Sequence, residues 1–246
     1  MGADRIEPPK LPRPIATIGL HGSASTWVYN VIRELLIAAL EADQVLALYA
    51  EQVSELPDES TRARRQLVIK SHYGSAGLDS WLAATQAQIV LSIRDPRDAC
   101  VSMSQRFSAP IEATVPWLSA DCNRVMRLAL QDWPLLRYED RFFEDQAAPQ
   151  RLAGYLGLKV APCSFDDISA RYSTEAVRSF AQRLADLPPE RLATPTSSRL
   201  MDRLTQIHGQ HIGDTRSGKW RQLPNGVQLE LTHAFSAFLD RFGYAR

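Results

Sequence analysis

Short apolar runs alternate along the chain with longer segments in which apolar residues recur every three or four positions. The apolar runs occupy residues 15–20, 66–70, 88–93 and 133–138. Runs of this length are typical of strands buried on both faces of a sheet, whereas helical spacing, as in residues 28–36, predicts amphipathic helices. Strands that alternate with helices predict crossover connections. The sequence therefore predicts an α/β fold with a central parallel sheet flanked by helices.

The length of the chain is typical of one enzyme-sized domain. Its 246 residues, of which 45% are hydrophobic, are enough to bury a large core. Four prolines among the first fourteen residues predict a flexible N-terminal arm over residues 1–13, followed by a single α/β domain over residues 14–246. Inside that domain, residues 141–158 predict a helix that ends near Gly157.

Two segments have the composition of pocket walls. Prolines interrupt the helical pattern of residues 104–122, and residues 186–214 are rich in Pro, Thr and Ser. Such segments commonly form lids and substrate-binding walls. The aromatic residues Phe107, Trp117 and Trp81 are candidates for lining an apolar pocket, although aromatic side chains more often belong to the core.

The charge balance and the cysteines narrow the class of protein. The 28 basic and 28 acidic residues cancel, which gives no overall attraction to nucleic acid or membrane. Three scattered cysteines form no disulfide framework, and the chain has neither an apolar N-terminal leader nor a run of about 20 apolar residues. We therefore expect a cytoplasmic protein that binds neither nucleic acid nor membrane.

The histidines and cysteines do not predict a metal site. The five His and three Cys show neither the Cys-x2-Cys nor the His-Glu-x2-His spacing. His208 and His211 are three residues apart, which would place them on one face only in a helix.

The segment 19–27 joins the first apolar run to a helical pattern. It is a loop of small residues, and its Ser and Thr residues fall at the start of the predicted helix. Unpaired backbone N–H groups and the helix dipole make such an end an anion site, which the hydroxyls of Ser23, Ser25 and Thr26 would extend. The Gly-Lys-Ser/Thr ending of ATP-binding loops is absent. Taken alone, the segment also fits an ordinary capped helix.

A second candidate segment, which is rich in charged residues, follows the third apolar run. Arg94 comes directly after residues 88–93, at the predicted carboxyl end of a strand, where parallel α/β sheets bind their ligands. Ser102 lies two helical turns further on, so that both side chains are able to hold one phosphate. By itself, this segment fits equally well a surface network of Arg and Asp around a helix that begins at Pro96.

Together these two segments resemble the signature of the cytosolic-type sulfotransferases that use 3'-phosphoadenosine 5'-phosphosulfate (PAPS). The resemblance implies a P-loop-like three-layer fold in which the first loop holds the 5'-phosphosulfate. The implied loop contacts are Gly22, Ser23, Ala24, Ser25, Thr26 and Trp27, the last by stacking on adenine. Arg94 and Ser102 have the spacing of the family's 3'-phosphate ligands.

Further matches extend the resemblance over residues 14 to 240. The segment Lys70-Ser71-His72 looks like the family's Lys-Thr-His, which makes His72 the candidate general base, and Tyr138-Glu139-Asp140 looks like the strand whose Tyr contacts adenine. Two weaker matches imply further nucleotide contacts: Arg216 and Gly218, within residues 215–221, and Ser173. Ser173, followed by Thr174 and Glu175, also reads as a helix cap.

One departure from the family concerns the first loop. Gly22 stands where the family has a Lys that neutralises charge on the leaving oxygen. Lys70 and His72, two residues apart on an extended segment, would project to the same side, so Lys70 is a candidate replacement. His21 is the other candidate.

The implied reaction is an in-line transfer of the sulfuryl group from PAPS to a hydroxyl of a small-molecule acceptor, with release of adenosine 3',5'-bisphosphate (PAP). A neutral His72 would remove the hydroxyl proton, and no metal is needed. Two alternatives remain open: a small-molecule kinase or other phosphate-handling enzyme, and a nucleotide-binding protein that has lost activity because of Gly22.

Overall fold

The computed structural model describes residues 13–62, 64–196 and 199–245. The predicted N-terminal arm lies outside these residues except for Arg13. The strands are β1 (Ile15–Gly19), β2 (Val45–Tyr49), β3 (Gln66–Ser71), β4 (Gln88–Ile93), β5 (Leu135–Arg137), β6 (Leu192–Thr196) and β7 (Arg199–Asp202). The helices are α1 (Ser25–Leu40), α2 (Glu59–Arg62), α3 (Ala76–Ala84), α4 (Pro96–Phe107), α5 (Ile111–Leu128), α6 (Ala148–Leu156), α7 (Pro162–Arg171), α8 (Thr174–Gln182), α9 (Asn225–Ala234) and α10 (Ser236–Phe242).

The first five strands form one parallel sheet in the order β2-β3-β1-β4-β5. The strands β6 and β7 pair with each other as an antiparallel hairpin. In the central strands, alternate side chains point to opposite faces of the sheet. Leu67 and Ile69 therefore belong to one buried cluster, whereas Val68 between them belongs to the other. Helices cover both faces, as the sequence predicts.

Each face of the sheet has its own set of helices. One cluster contains apolar residues of α3, α4, α5 and α10, including Leu82, Cys100 and Phe238. The other contains residues of α1, α6, α7 and α8, including Ile32 and Leu152. The result is the predicted α/β architecture of three layers, in which the carboxyl ends of all five parallel strands meet at one edge of the sheet.

The structure corrects three expectations about individual elements. The strand β2 is absent from the sequence prediction. The helix predicted over residues 141–158 ends at Gly157 as expected, but it begins only at Ala148, after two short 3-10 turns at Tyr138–Asp140 and Phe142–Glu144. Pro116 does not interrupt α5, which continues through it from Ile111 to Leu128.

No helix among the described residues is long and apolar enough to cross a membrane.

Candidate active site

A cavity of about 730 Å³ opens at the carboxyl edge of the parallel sheet. Its walls come from the segments that follow β1, β3, β4 and β5, and from the segment between residues 201 and 219. Cavities at this edge are the usual ligand sites of parallel α/β proteins. The residue segment 186–214, expected to form a wall, does contribute to it, through Met201 and residues 206–214.

The loop after β1 has the backbone conformation of an anion-binding turn. Gly22 and Ala24 have positive φ values of 79° and 60°, and α1 begins directly afterwards at Ser25. The N–H groups of Ser25 and Thr26 therefore belong to the first turn of a helix, where they have no intrahelical acceptor. Both residues line the cavity together with Gly22 and Ala24. The loop thus presents backbone donors and the positive end of a helix dipole to the cavity.

Ser23 has a different position from its neighbours in the loop. It is fully buried, its hydroxyl donates to the carbonyl oxygen of Leu20 at 2.7 Å, and it lies 2.9 Å from the hydroxyl of Ser92. It is not among the residues that line the cavity. In this structure its side chain stabilises the loop against β4.

Trp27 lies at the opposite end of the loop and lines the cavity. Its ring packs edge-on against Phe142, with centroids 5.5 Å apart. The buried indole Nε1 has no hydrogen-bond partner among the described residues. An unpaired buried donor of this kind favours a polar ligand beside the ring.

Arg94 connects several of the predicted nucleotide contacts. It follows β4 and is only 3% exposed, and its guanidinium donates to the hydroxyl of Ser102 at 3.1 Å and to the carbonyl oxygen of Gly22 at 3.2 Å. The same group lies 4.1 Å from the centre of the Tyr138 ring. All four residues line the cavity. The structure therefore brings together residues that are up to 116 positions apart in the chain, from Gly22 to Tyr138.

The segment with Arg216 and Gly218 docks onto the start of α4. The backbone carbonyl of Arg216 accepts a hydrogen bond from Arg94 at 2.8 Å, while the Arg216 side chain is 69% exposed and pairs with Asp214. Gly218 has a φ of 81° and donates its N–H to the buried carboxylate of Asp98. Asp98 also accepts from the N–H of Trp220 at 3.0 Å. Asp98 thus holds this segment beside Arg94, a role that the sequence analysis did not assign.

Ser173 caps helix α8. Its hydroxyl accepts a hydrogen bond from the N–H of Ala176 at 3.2 Å and donates to the carbonyl of Ala170 at 3.0 Å. It lines a smaller neighbouring cavity of about 270 Å³, which shares Trp27, Phe143 and Thr174 with the main one.

His72 and Lys70 lie at the end of β3 and both line the main cavity. The Nδ1 atom of His72 is 2.6 Å from the carbonyl oxygen of Gly19. Since a carbonyl only accepts, Nδ1 carries the hydrogen and Nε2 is the nitrogen that remains for proton transfer. Burial lowers the pKa of His72 well below its usual value, and His21 and Lys70 lower it further. The imidazole is therefore neutral at physiological pH.

The ammonium group of Lys70 lies 5.4 Å from the centre of the Tyr49 ring. Burial, followed by repulsion from Arg106, lowers the pKa of Lys70 to about 8. The structure gives Lys70 no hydrogen-bond acceptor among the described residues. This buried cation is consequently available to an anionic ligand.

Glu51 positions the end of β3, and the sequence analysis missed it. This carboxylate is 2% exposed and accepts hydrogen bonds from the N–H groups of His72 and Gly74 at 2.8 and 2.6 Å. It also accepts from the hydroxyl of Ser71 at 2.7 Å and lies 3.8 Å from the guanidinium of Arg124. Glu51 lies two residues beyond the end of β2, so recognising that strand would have indicated a charged residue at the edge of the sheet that forms the site.

Asp121 is a second missed residue, and it acts on His21. Its carboxylate is fully buried and accepts from the backbone N–H of His21 at 2.8 Å and from Nδ1 of the same residue at 2.7 Å. The His21 ring stacks on the ring of His72. These three residues each place a potential metal-ligand atom within 4.8 Å of the others. Hydrogen bonds engage Nδ1 of both histidines and leave Nε2 of each ring without a hydrogen-bond partner among the described residues.

Three residues to which the sequence assigned no definite function also line the cavity: Phe107, His208 and His211. The two histidine rings are 4.9 Å apart, although they lie in a turn rather than on a helix. Trp117 is 49% exposed and contacts Phe107 edge-on, while Trp81 packs against the core. Neither tryptophan lines the cavity, so only Phe107 of the three aromatic candidates does.

The cavity presents hydrogen-bond donors and an aromatic ring of the kind that a nucleotide with two anionic groups needs. Trp27 offers an aromatic ring for a base, Arg94 and Ser102 offer donors for one phosphate, and the start of α1 offers backbone donors for another. Arg94 Nε, like Trp27 Nε1, is buried and has no partner among the described residues. These unpaired donors support the fit, because buried polar groups normally find partners.

Comparison with solved structures identifies the fold. The chain resembles mouse sulfotransferase SULT7A1 complexed with PAP, with a TM-score of 0.64, 16% identity, and coverage of 92% of this chain and 84% of that chain. It resembles retinol dehydratase in complex with retinol and PAP, with a TM-score of 0.58, 14% identity, and coverage of 93% and 81%. Retinol dehydratase with androsterone and PAP gives the same score and identity, with coverage of 93% and 82%.

No family model and no curated protein sequence matches the chain. At 14–16% identity, the structural similarity establishes the fold alone. The protein therefore has the P-loop-like α/β fold of the sulfotransferases, with its cavity at the carboxyl edge of the parallel sheet.

Proposed function

We propose that the protein is a sulfotransferase that transfers the sulfuryl group of PAPS to a hydroxyl of a small-molecule acceptor. One observation carries the proposal: Arg94 hydrogen-bonds to Ser102 and to the Gly22 carbonyl and stacks on Tyr138, on the wall of one cavity. These are the residues that the resemblance assigned to different parts of one nucleotide. The fold shared with proteins solved with bound PAP supports the same nucleotide.

In this proposal, the nucleotide is held by residues from the ends of β1, β4 and β5. The first turn of α1 and the N–H groups around Ser25 and Thr26 bind the 5'-phosphosulfate. Arg94 and Ser102 bind the 3'-phosphate, and Trp27 and Tyr138 enclose the base. Arg216 and Gly218 complete the 3'-phosphate site through the backbone of their segment. Ser23 stabilises the loop through its hydroxyl, on the side that faces β4. Ser173 is a proposed contact beside Trp27.

The remaining residues act on the acceptor. The bound PAPS would supply an activated sulfuryl group and a phosphate leaving group. His72 takes the proton of the acceptor hydroxyl at Nε2, because Nδ1–H is held by the carbonyl of Gly19. Lys70 supplies positive charge beside His72, in place of the lysine that the loop lacks at Gly22. His21, held by Asp121, adds a second polar group at the same point. The reaction requires no metal ion.

The proposal places the protein in the cytoplasm. Its three cysteines are all free, and Cys100 and Cys122 are buried, as suits a reducing compartment. It assigns no role to nucleic acid or membrane as a partner.

Calorimetric titration with PAP and with AMP tests the nucleotide site without knowledge of the acceptor. We expect PAP to bind more tightly, and the Arg94→Ala variant to lose about 2 to 3 kcal/mol of that preference, the usual contribution of a charged hydrogen bond. Arg241→Ala is the matched control, because Arg241 is exposed and donates to the carbonyl of Ala129, away from both cavities. Equal affinity for PAP and AMP would refute the proposal.

Two further titrations separate the alternatives. A kinase would bind ATP in a magnesium-dependent manner and would not prefer a 3'-phosphate. A nucleotide-binding protein without activity would bind PAP selectively but would not transfer the sulfuryl group of PAPS to any hydroxyl in an acceptor screen.

A further inference from the structure

The order of the strands divides the cavity into two halves. The proposed nucleotide contacts follow β1, β4 and β5, which are adjacent in the sheet. The ends of β3 and β2 form the other half, which contains His72, Lys70 and Tyr49. Because His72 is the proposed base, the acceptor hydroxyl lies at this boundary, and the body of the acceptor occupies the half beyond it.

The permanent charges on the described part of the cavity wall are mostly positive. Lys70, Arg94, Arg106 and Lys219 line the cavity, and the carboxylate facing them is that of Asp214. Asp214 is already paired with Arg216 at 2.9 Å and with Lys219 at 3.2 Å. The guanidinium of Arg94 belongs to the nucleotide half, as described above. The cations of the acceptor half are therefore Lys70 and Arg106.

Arg106 lies near the end of α4, one helical turn beyond Ser102. Its guanidinium donates to the backbone carbonyl of His211 at 3.2 Å. Arg106 and Lys70 both lower the pKa of His211, after burial and His208, so the three groups lie within electrostatic reach of one another. Nδ1 of His211 is buried and has no hydrogen-bond partner among the described residues.

We propose that this end of the cavity binds a carboxylate or similar anionic group of the acceptor, whose hydroxyl lies at His72. The inference rests on the proposed sulfotransferase function and specifies its acceptor class. Two cations and an unpaired histidine nitrogen provide the attraction and the hydrogen-bond capacity that an anion needs. Tyr49, Phe107 and Met201 line the same half, so the acceptor has an apolar body between its hydroxyl and its anionic end.

The charge of the acceptor can be tested with two probes of nearly equal shape. The probes are 3-(4-hydroxyphenyl)propanoate and 3-(4-hydroxyphenyl)propanamide, each titrated calorimetrically into the full-length protein with and without PAP. We expect the carboxylate to bind at least about tenfold more tightly than the amide, as for a charge-assisted hydrogen bond. In Arg106→Gln the preference falls to less than about threefold. Lys159→Gln, which removes an exposed charge outside the cavity, retains the preference.

The results separate this inference from the proposed function. Selective binding of PAP together with equal or undetectable binding of the two probes would overturn the anionic acceptor and leave the sulfotransferase proposal standing. A carboxylate preference that persists in Arg106→Gln would also overturn it. A protein that lacks selectivity for PAP but binds the carboxylate through Arg106 would contradict the sulfotransferase proposal while supporting the cationic site.

Discussion

The imidazole ring of His21 stacks on that of His72, with ring centroids 3.8 Å apart and an angle of 22° between the planes. Two different groups hold the rings: the carboxylate of Asp121 binds Nδ1 of His21, and the carbonyl of Gly19 binds Nδ1 of His72. Both rings line the cavity. Two imidazoles with fixed Nδ1 atoms thus face the point where the acceptor hydroxyl is expected.

Replacement of His72 tests its role as the base. In His72→Ala we expect sulfuryl transfer to fall at least about a hundredfold, because general base catalysis contributes about that much. The affinity for PAP should stay within about twofold of the unaltered protein, since the nucleotide contacts lie on other strands. Steady-state kinetics and calorimetry measure the two effects. His233→Ala, at an exposed position on α9, is the control. Retained turnover in His72→Ala would show that His72 is structural.

The pH dependence of PAPS binding tests Lys70. Its pKa is about 8 in the protein without ligand, and only the charged form attracts the sulfuryl group. Affinity for PAPS should therefore fall as the pH rises from 7 through about 8, by up to tenfold per pH unit. Lys70→Arg should remove this decrease, because arginine stays charged over the whole range. Calorimetric titrations of both proteins at pH 7, 8 and 9 measure the affinity for PAPS. A decrease of the same size in Lys70→Arg would assign the titration to another group.

Replacement of Glu51 tests whether its carboxylate stabilises the end of β3, where the proposed base His72 lies. In Glu51→Gln the fully buried Arg124 guanidinium keeps its ion pair with Asp79 at 2.8 Å but loses the second carboxylate, and an amide replaces the acceptor of two backbone N–H groups. We expect the free energy of unfolding to fall by about 1 to 3 kcal/mol, because a buried carboxylate that accepts several hydrogen bonds is replaced by a weaker acceptor. Urea denaturation monitored by circular dichroism measures the change.

The control for Glu51 is an exposed ion pair. Glu144→Gln removes a carboxylate that pairs with Arg141 at the surface, and such pairs contribute about 1 kcal/mol or less. Equal effects of the two substitutions would show that Glu51 does not organise the end of β3.

Two glycine substitutions test the close packing beneath the loop. A Cβ atom at Gly19 would lie 2.0 Å from the hydroxyl oxygen and 2.7 Å from the carbonyl oxygen of Ser92. Gly19→Ala should therefore destabilise the protein by more than about 1 kcal/mol and weaken PAP binding, because the loop would have to shift. At Gly154, within α6, a Cβ atom meets nothing within 4 Å, and Gly154→Ala should stabilise the protein by about 0.4 to 1 kcal/mol. Thermal denaturation measures the unfolding midpoint of both variants. An unchanged midpoint in Gly19→Ala would show that the packing around Gly19 is not as tight as the structure indicates.

Local patterns predicted the central strands and the loop that begins the site. The strands β1, β3 and β4 are continuous apolar runs, and Arg94 and Ser102 are placed by a strand end and a helix of known pitch, so short-range spacing was sufficient for both. The strand β2 was missed because its five residues follow the apolar pattern of α1 and are mostly half-buried. An edge strand of this kind has no alternation that distinguishes it from the end of a helix.

The sequence by itself determined the α/β class and the loop between β1 and α1, because these depend on residues that are near neighbours in the chain, whereas His72 became the candidate base through the resemblance to sulfotransferases. Only the tertiary structure decided which groups surround that base. The carboxylates of Glu51 and Asp121 reach His72 and His21 from positions 21 and 100 residues away. Arg106 reaches the turn at His211 across a distance of 105 residues. Such contacts depend on how the helices pack on the sheet, and no local pattern of apolar and polar residues records them.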